Sequence, residues 1–177
     1  FKLVQQGKSY AVQLFQTKKK EERGVFDIYE DNGKLYLGSW SGINVFDLTT
    51  EKITEHPIVI DSVGNKQFGY QVRHFLRSKK GDWWIGTTNG IVHFKNVKGN
   101  LWEHIQTHKG EVYTHHPNDK KSLISGRITD LCEDKNGGIW IGTHSALVKV
   151  IDQKGKIEFQ SYGENEGLAN NLVYTVI

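Results

Sequence analysis

The segment ITDLCEDKNGGIWIGT at residues 128–143 decides the fold, because it has two relatives earlier in this chain of 177 residues. The relatives are VFDIYEDNGKLYLGS at residues 25–39 and VRHFLRSKKGDWWIGT at residues 72–87, and a further copy begins with VYTVI at residues 173–177. Successive copies start about 45 to 56 residues apart, close to the period of roughly 40–50 residues in repeat proteins whose unit is a small sheet. We therefore predict an architecture of stacked repeats.

Each copy reads as two antiparallel strands followed by a tight turn. The second strand is apolar on both faces, as in residues 35–37, 83–85 and 139–141. This pattern is typical of a strand sandwiched between stacked sheets. The following turn contains Gly42 or Gly90 in the first two copies, and glycine suits the positive φ of a hairpin. Each repeat is therefore predicted to be a small sheet with neighbours on both sides.

A third and a fourth strand complete each unit, and the fourth strands are predicted at residues 52–54, 101–105 and 156–159. Four antiparallel strands per repeat predict an all-β fold, a β-propeller built of four-stranded blades. No helical periodicity stands out. We expect a fragment of about four blades: the end of a preceding blade at residues 1–23, a blade at 24–71, a blade with a long linker loop at 72–126, a blade at 127–171 and the first strand of the next blade at 172–177.

The composition excludes several classes of function. The net charge is +3, from 23 basic and 20 acidic residues spread along the chain, whereas a nucleic-acid interface needs clustered basic residues. No window approaches about 18 consecutive apolar residues, so no membrane span is expected in this segment. The single cysteine, Cys132, excludes an internal disulfide. Because a P-loop, a dinucleotide fingerprint and a nucleophile elbow are absent from the sequence, we expect no cofactor.

Residues 128–134 and 138–143 resemble the two-component regulator propeller repeat, and the stretches before the third and fourth copies resemble the family's linkers between blades. The resemblance implies a seven-bladed parent propeller in the periplasmic sensor region of a hybrid two-component histidine kinase. Such kinases are typical of gut Bacteroides-type bacteria that respond to glycan fragments. The resemblance also implies an ectodomain anchored in the inner membrane through its parent, a homodimer, contacts with the remaining blades, and a phosphorelay that regulates transcription.

Candidate ligand-binding residues lie in the turns between second and third strands, which share one end of a four-stranded blade with the connections between blades. At the equivalent position of three turns the sequence has Trp40, Thr88 and His144. A position that differs in every copy serves no shared packing need, so it is a better ligand candidate than a repeated residue. An exposed Trp40 could stack on a sugar ring, and an exposed turn residue without a ligand is the alternative at each position. Neighbouring turn and linker residues complete the candidates: Ser41, Tyr70, Asn89, His115, His116, Asn118 and Ser145.

Catalytic and metal sites are not expected. Acidic pairs recur at Glu30 with Asp31 and at Glu133 with Asp134, where a strand meets a turn, and such residues commonly satisfy the backbone groups of a turn. The histidine-rich loop at residues 107–118 has no cysteine or clear carboxylate partner at metal-ligand spacing, so a solvated loop is favoured. The repeated aromatic residues are predicted to be core residues: Tyr36, Trp84 and Trp140.

These observations leave three hypotheses for function. In the first, the segment belongs to an extracytoplasmic sensor that binds an oligosaccharide or another small ligand and performs no chemistry. In the second, it belongs to a propeller glycoside hydrolase or lyase, and hydrolysis would require two carboxylates that flank a cleft. In the third, it is a non-catalytic scaffold for dimerisation. We favour the first hypothesis and expect that the segment itself is not an enzyme.

Overall fold

The structure is a computed structural model that describes residues 2–6, 9–13, 24–56, 71–108 and 110–177. Its elements in chain order are β1 (Lys2–Gln6), β2 (Ser9–Gln13), β3 (Val25–Asp31), β4 (Lys34–Ser39), β5 (Gly42–Asp47), β6 (Lys52–His56), β7 (Val72–Arg77), β8 (Trp83–Thr87), β9 (Gly90–Phe94), α1 (Leu101–Thr107), β10 (Glu111–Tyr113), β11 (Ile128–Glu133), β12 (Ile139–Thr143), β13 (Leu147–Gln153), β14 (Lys156–Tyr162) and a 3-10 turn (Glu164–Glu166).

The described strands form three four-stranded antiparallel sheets, and a hairpin of β1 and β2 precedes them. Each sheet is a meander in chain order, with strand orders β3-β4-β5-β6, β7-β8-β9-β10 and β11-β12-β13-β14. In the first sheet, Tyr36 of β4 lies opposite Tyr29 of β3 and Val45 of β5. The structure confirms the predicted all-β fold of four-stranded antiparallel blades.

The blades approach each other closely at a glycine near the end of each second strand. A Cβ atom placed on Gly86 would lie 2.7 Å from Cγ2 of Ile128, in the first strand of the next blade. A Cβ atom on Gly38 would lie 2.8 Å from the carbonyl oxygen of Val72. Both distances are too short for a real contact, so a side chain would push the neighbouring blade away. Stacking of the blades therefore requires the repeated glycine.

Two hydrophobic clusters fill the spaces between the sheets. Trp83 belongs to the cluster between the first two sheets and Trp84 to the cluster between the second and third, because successive side chains of a strand point to opposite faces. Tyr36 and Trp84 are buried, as predicted. Trp140 is only partly buried, since no further sheet among the described residues covers its face of the third blade.

The structure contradicts the predicted fourth strand at residues 101–105, where it has helix α1. The side chain of Asn100 accepts a hydrogen bond of 2.9 Å from the backbone N–H three residues later and so caps the helix. Leu101 is fully buried, and the backbone N–H of Trp102 donates to the hydroxyl of Tyr36 at 2.9 Å. The fourth strand of this blade is β10 instead. Packing of the helix against the first blade therefore overrides the predicted strand.

Residues 172–177, predicted as the first strand of a next blade, do not form a strand. The backbone N–H of Val176 nevertheless donates to Oδ2 of Asp130 in β11 at 2.8 Å. In the same way, the N–H of Phe75 in β7 donates to Oδ2 of Asp27 in β3 at 2.7 Å. The segment thus takes the place beside β11 that β7 takes beside β3, without a described partner strand to complete a ladder. No helix among the described residues is long and apolar enough to span a membrane.

Candidate functional site

The turns between second and third strands lie at the same end of the blades as the residues that lead into the first strands. The backbone N–H of Thr88 donates to the carbonyl of Gln71 at 3.2 Å, and that of His144 donates to the carbonyl of Arg127 at 3.2 Å. We call this end the loop face. It is defined by the turns at residues 39–42, 87–90 and 143–146, by residues 71 and 126–127, and by the adjoining ends of β3, β7 and β11.

A hydroxyl group at the end of each second strand holds the turn that follows. In the second blade, Oγ1 of Thr87 donates to the carbonyl of Gly90 at 2.9 Å and accepts the N–H of Asn89 at 3.0 Å. In the third blade, Oγ1 of Thr143 accepts the N–H of Ser145 at 3.1 Å. These hydroxyl groups therefore satisfy backbone groups of the turns within each blade.

The predicted binding residues of the loop face differ in exposure. The side chain of Trp40 is 49% exposed, and Asn89, His144 and Ser145 are also exposed. Ser41 and Thr88 are partly buried. The remaining candidate of this group, Tyr70, lies outside the described residues.

An aromatic and cationic row crosses the loop face from the first blade to the second. The rings of Phe26 and Trp40 lie 5.3 Å apart between centroids, and the guanidinium carbon of Arg73 lies 4.2 Å from the centroid of the Phe26 ring. Phe26 and Arg73 are equivalent residues of β3 and β7, where the strand register shifts at a β-bulge. Because a bulge re-aims a side chain, two blades contribute to one continuous surface. We call Trp40, Phe26 and Arg73 the row.

Sequence reasoning missed Phe26 and Arg73. Their position is occupied by Thr129 in the third copy, so it differs in every copy, as the turn position does. This variation is the signal that could have identified them. The sequence pattern did not predict the β-bulge. Simple alternation of side chains along the first strand places Phe26 and Arg73 on a face of the blade and not at the loop face.

Positive charge gathers around His144 in the third blade. The loss of solvation, together with the charges of Arg127 and Arg73, lowers the pKa of His144 below its ordinary value. None of the ion pairs among the described residues includes Arg73 or Arg127. The loop face therefore carries two guanidinium groups that no described carboxylate neutralises at salt-bridge distance.

The histidine-rich loop is held by its own hydrogen bonds. Nδ1 of His115 lies 2.7 Å from the carbonyl oxygen of Leu123, and the N–H of His116 donates to Oγ of Ser122 at 3.0 Å. Asn118 is exposed. The carbonyl of Lys121 accepts a bond of 2.9 Å from β14, which places this loop against the outer strand of the third blade. In the described part of the chain, no three histidine, cysteine or acidic residues are grouped to hold a metal ion.

A cavity of about 460 Å³ lies between the second and third blades at the end opposite the loop face. Its lining includes Asp82, Trp84 and His93, and none of the predicted binding residues. The ring of His93 stacks on Trp84 with centroids 3.7 Å apart, and its Nε2 lies 3.2 Å from Oδ2 of Asp82. Burial lowers the pKa of His93. The cavity wall thus contains a buried imidazole beside a carboxylate.

His74 links the first strands of the three four-stranded sheets. Its Nδ1 lies 3.3 Å from Oδ2 of Asp27, and its Nε2 lies 3.1 Å from Oδ1 of Asp130. Each carboxylate also accepts a backbone N–H of the chain that lies next to it, from Phe75 or Val176. Because both carboxylates are occupied in this way, the arrangement is suited to holding strands together.

The acidic pairs at the strand ends make the contacts expected of turn residues. Oδ1 of Asp134 accepts the N–H groups of Asn136 and Gly138, each at 2.8 Å. Oε1 of Glu30 accepts the N–H of Gly33 at 3.0 Å. In the first blade, Asp31 instead forms an ion pair of 2.6 Å with an arginine of β7. These contacts support a structural role for the pairs.

The comparisons with known proteins agree with this architecture. The family model of the two-component regulator propeller matches residues 122–145, and no curated protein matches the chain significantly. The structure resembles the extracellular domain of a proposed one-component system from B. thetaiotaomicron, with a TM-score of 0.55 and 16% identity over 95% of this chain and 26% of that chain. It also resembles the extracellular domain of a proposed hybrid two-component system from the same organism, with a TM-score of 0.50 and 18% identity over 93% of this chain and 26% of that chain. A virginiamycin B lyase from Staphylococcus aureus gives a TM-score of 0.52 and 22% identity over 85% of this chain and 45% of that chain.

The chain covers 26% of the length of each of the two extracellular domains. At these identities the likenesses show the fold. The family match falls on the third copy of the repeat, where the sequence resemblance is closest. The chain therefore has the fold of a β-propeller domain, and its residues 122–145 match the family model of the two-component regulator propeller.

Proposed function

We propose that the chain is part of the extracytoplasmic sensor propeller of a hybrid two-component histidine kinase and that it binds an oligosaccharide at the loop face without performing chemistry. The observation that carries the proposal is the structure of the turns on the loop face. Hydrogen bonds to a hydroxyl group of the same blade hold these turns, while the exposed residue at the tip differs from blade to blade, as at Trp40 and His144. The extracellular origin of the two Bacteroides domains with the same fold supports the extracytoplasmic location.

The surface around Trp40 suits a sugar. An aromatic side chain that is half exposed offers a flat apolar face, and Phe26 packs beside it. Small polar side chains in the neighbouring turns, such as Asn89 and Ser145, can hydrogen-bond to hydroxyl groups. A surface that combines an aromatic face with hydrogen-bonding groups matches the alternation of apolar and hydroxylated faces in a sugar ring.

Signalling requires that the ligand bind one arrangement of the parent protein better than another, since a ligand with equal affinity for both shifts nothing. The loop face can meet this requirement because the row joins residues of two blades, so that a bound sugar contacts both. The parent would transmit the shift through a homodimer and the inner membrane to its kinase, and a phosphorelay would then regulate transcription.

The test is thermal unfolding of the whole extracytoplasmic part of the protein against plant, host and microbial oligosaccharides. A ligand that binds only the folded state raises the melting temperature. We expect a rise for a restricted set of sugars, each recovered uncleaved. The rise should be lost in Trp40→Ala but kept in Leu48→Ala, because Leu48 is 45% exposed but lies in the turn after β5, away from the loop face.

The other outcomes would replace the proposal. If no member of a broad panel raises the melting temperature, the scaffold hypothesis is favoured. Cleavage of a sugar that binds would show a glycoside hydrolase or lyase.

A further inference from the structure

We propose that the oligosaccharide bound at the loop face is acidic, with carboxylate or sulfate groups, and that Arg73 and Arg127 bind these groups. The inference rests on the proposed function and specifies the chemical class of the ligand. It assigns a role to two residues that differ from their equivalents in the other blades. Phe26 and Thr129 occupy the position of Arg73, and Gly24 and Gln71 occupy that of Arg127.

The first argument is the pairing of charges. Some basic residues of the described segments have close acidic partners, as in the pairs of Lys34 with Asp47 at 2.7 Å and Arg77 with Asp31 at 2.6 Å. Arg73 belongs to no ion pair among the described residues although it is partly buried. A guanidinium group that is removed from part of its water and has no internal partner favours an anion from outside.

The second argument is the position of the guanidinium group. Arg73 lies over the Phe26 ring at 4.2 Å, and that ring packs beside Trp40. Stacking uses the flat face of the guanidinium group and leaves its N–H groups free in the plane of the fork, where they can bind a carboxylate with two parallel hydrogen bonds. A sugar ring on Trp40 would therefore bring its acidic substituent toward an arginine that is already held in place.

The third argument is the charge of the surroundings. Arg127 and Arg73 both act on His144 by their positive charge. The nearby carboxylates of Asp27 and Asp130 are occupied by His74 and by backbone N–H groups. These carboxylates serve the contacts between strands, so they do not provide the partners that the two arginines lack.

The experiment compares three probes on the whole extracytoplasmic part of the protein: a uronic acid oligosaccharide, its carboxyl-reduced neutral counterpart and a sulfated oligosaccharide. We expect an acidic probe to raise the melting temperature and the neutral counterpart to have little effect. The affinity for the acidic probe should fall as salt is added, because ions screen exposed charges. Arg73→Gln should weaken binding by about tenfold to a hundredfold, the range expected when a charged hydrogen bond is lost.

Matched variants separate this role from a structural one. Lys135→Gln removes the same charge from an exposed turn at the opposite end of the third blade and should leave the affinity unchanged. Arg73→Lys keeps the charge but loses the planar fork, and should give an intermediate affinity. If Arg73→Gln does not fold, Arg127→Gln tests the same inference at an exposed position.

Two results would overturn the inference while the proposed function stands. One is selective binding of a neutral oligosaccharide that depends on Trp40 and is unaffected by Arg73→Gln and Arg127→Gln. The other is binding of an acidic probe with no loss in either arginine variant. A response to none of the probes, nor to any sugar of the broader panel, would remove both the inference and the proposed function.

Discussion

Replacing Gly86 with alanine should push the second blade away from the third and lower the stability of the protein. The new Cβ atom would lie 2.7 Å from Cγ2 of Ile128 and 3.6 Å from Cδ1 of Leu131, and Ile128 is 2% exposed and packed within the cluster between these blades. Overpacking of this kind costs about 1–3 kcal/mol, while alanine offsets about 0.4–1 kcal/mol by restricting the unfolded chain. The middles of these two ranges give an expected net loss of about 1 kcal/mol in the free energy of unfolding.

Urea unfolding of the whole extracytoplasmic part, followed at the transition that includes these blades, measures the loss as a lower midpoint. The double variant provides the decisive comparison, because Ile128→Ala removes the atom that alanine at position 86 would strike. Ile128→Ala alone should cost about 2–5 kcal/mol, and Gly86→Ala should cost clearly less in that background than in the original one. Equal costs in the two backgrounds, or no cost for Gly86→Ala alone, would refute the argument that close approach selects this glycine.

Three further variants test other parts of the fold. His74→Gln should lower the urea midpoint by an amount that corresponds to about 1 kcal/mol, because the ring joins the carboxylates of two other first strands; an unchanged midpoint would show that these contacts are not stabilising. Asn100→Ala should cost about 1 kcal/mol by removing the cap of α1, with the loss visible by hydrogen exchange in the helix, and equal protection with and without the cap would argue against it. Burial lowers the pKa of His93 in the folded state, so the unfolded state binds the proton more readily and stability should fall as the pH drops through about 6.5 toward the lower folded pKa. His93→Phe should reduce that pH dependence in urea midpoints measured at neutral and mildly acidic pH, and the same dependence in both proteins would contradict the assignment.

The repeat could be predicted from the sequence because the same strand pattern and turn residues are required in each blade. A second strand that is apolar on both faces and ends in a glycine followed by a hydroxyl residue, as in Trp83–Thr87, is needed wherever sheets stack on both sides. The hydroxyl closes the next turn, and the glycine allows the next blade to approach. These requirements are local and recur in every copy, so the pattern shows them directly.

The candidate site was only partly predictable. Trp40 and His144 were identified because they differ at equivalent turn positions, and the structure places both on the loop face. Phe26 and Arg73 depend on a bulge in the first strand and on the contact between two blades. A pattern of alternation contains neither feature, so the sequence did not indicate that the two residues lie beside Trp40.

The sequence by itself determined the period, the antiparallel strands and the blade fold, because local periodicity and turn chemistry act within each repeat. Only the tertiary structure decided that residues 101–107 are a helix, since a buried Leu101 and the bond from Trp102 to Tyr36 come from the neighbouring blade. The tertiary structure also decided which arginine side chains have no acidic partner among the described residues, because the partners of an arginine depend on which blade lies beside it. The physical reason is the same in both cases: contacts between residues far apart in the chain outweigh a local preference of a few tenths of a kcal/mol to about 1 kcal/mol per residue.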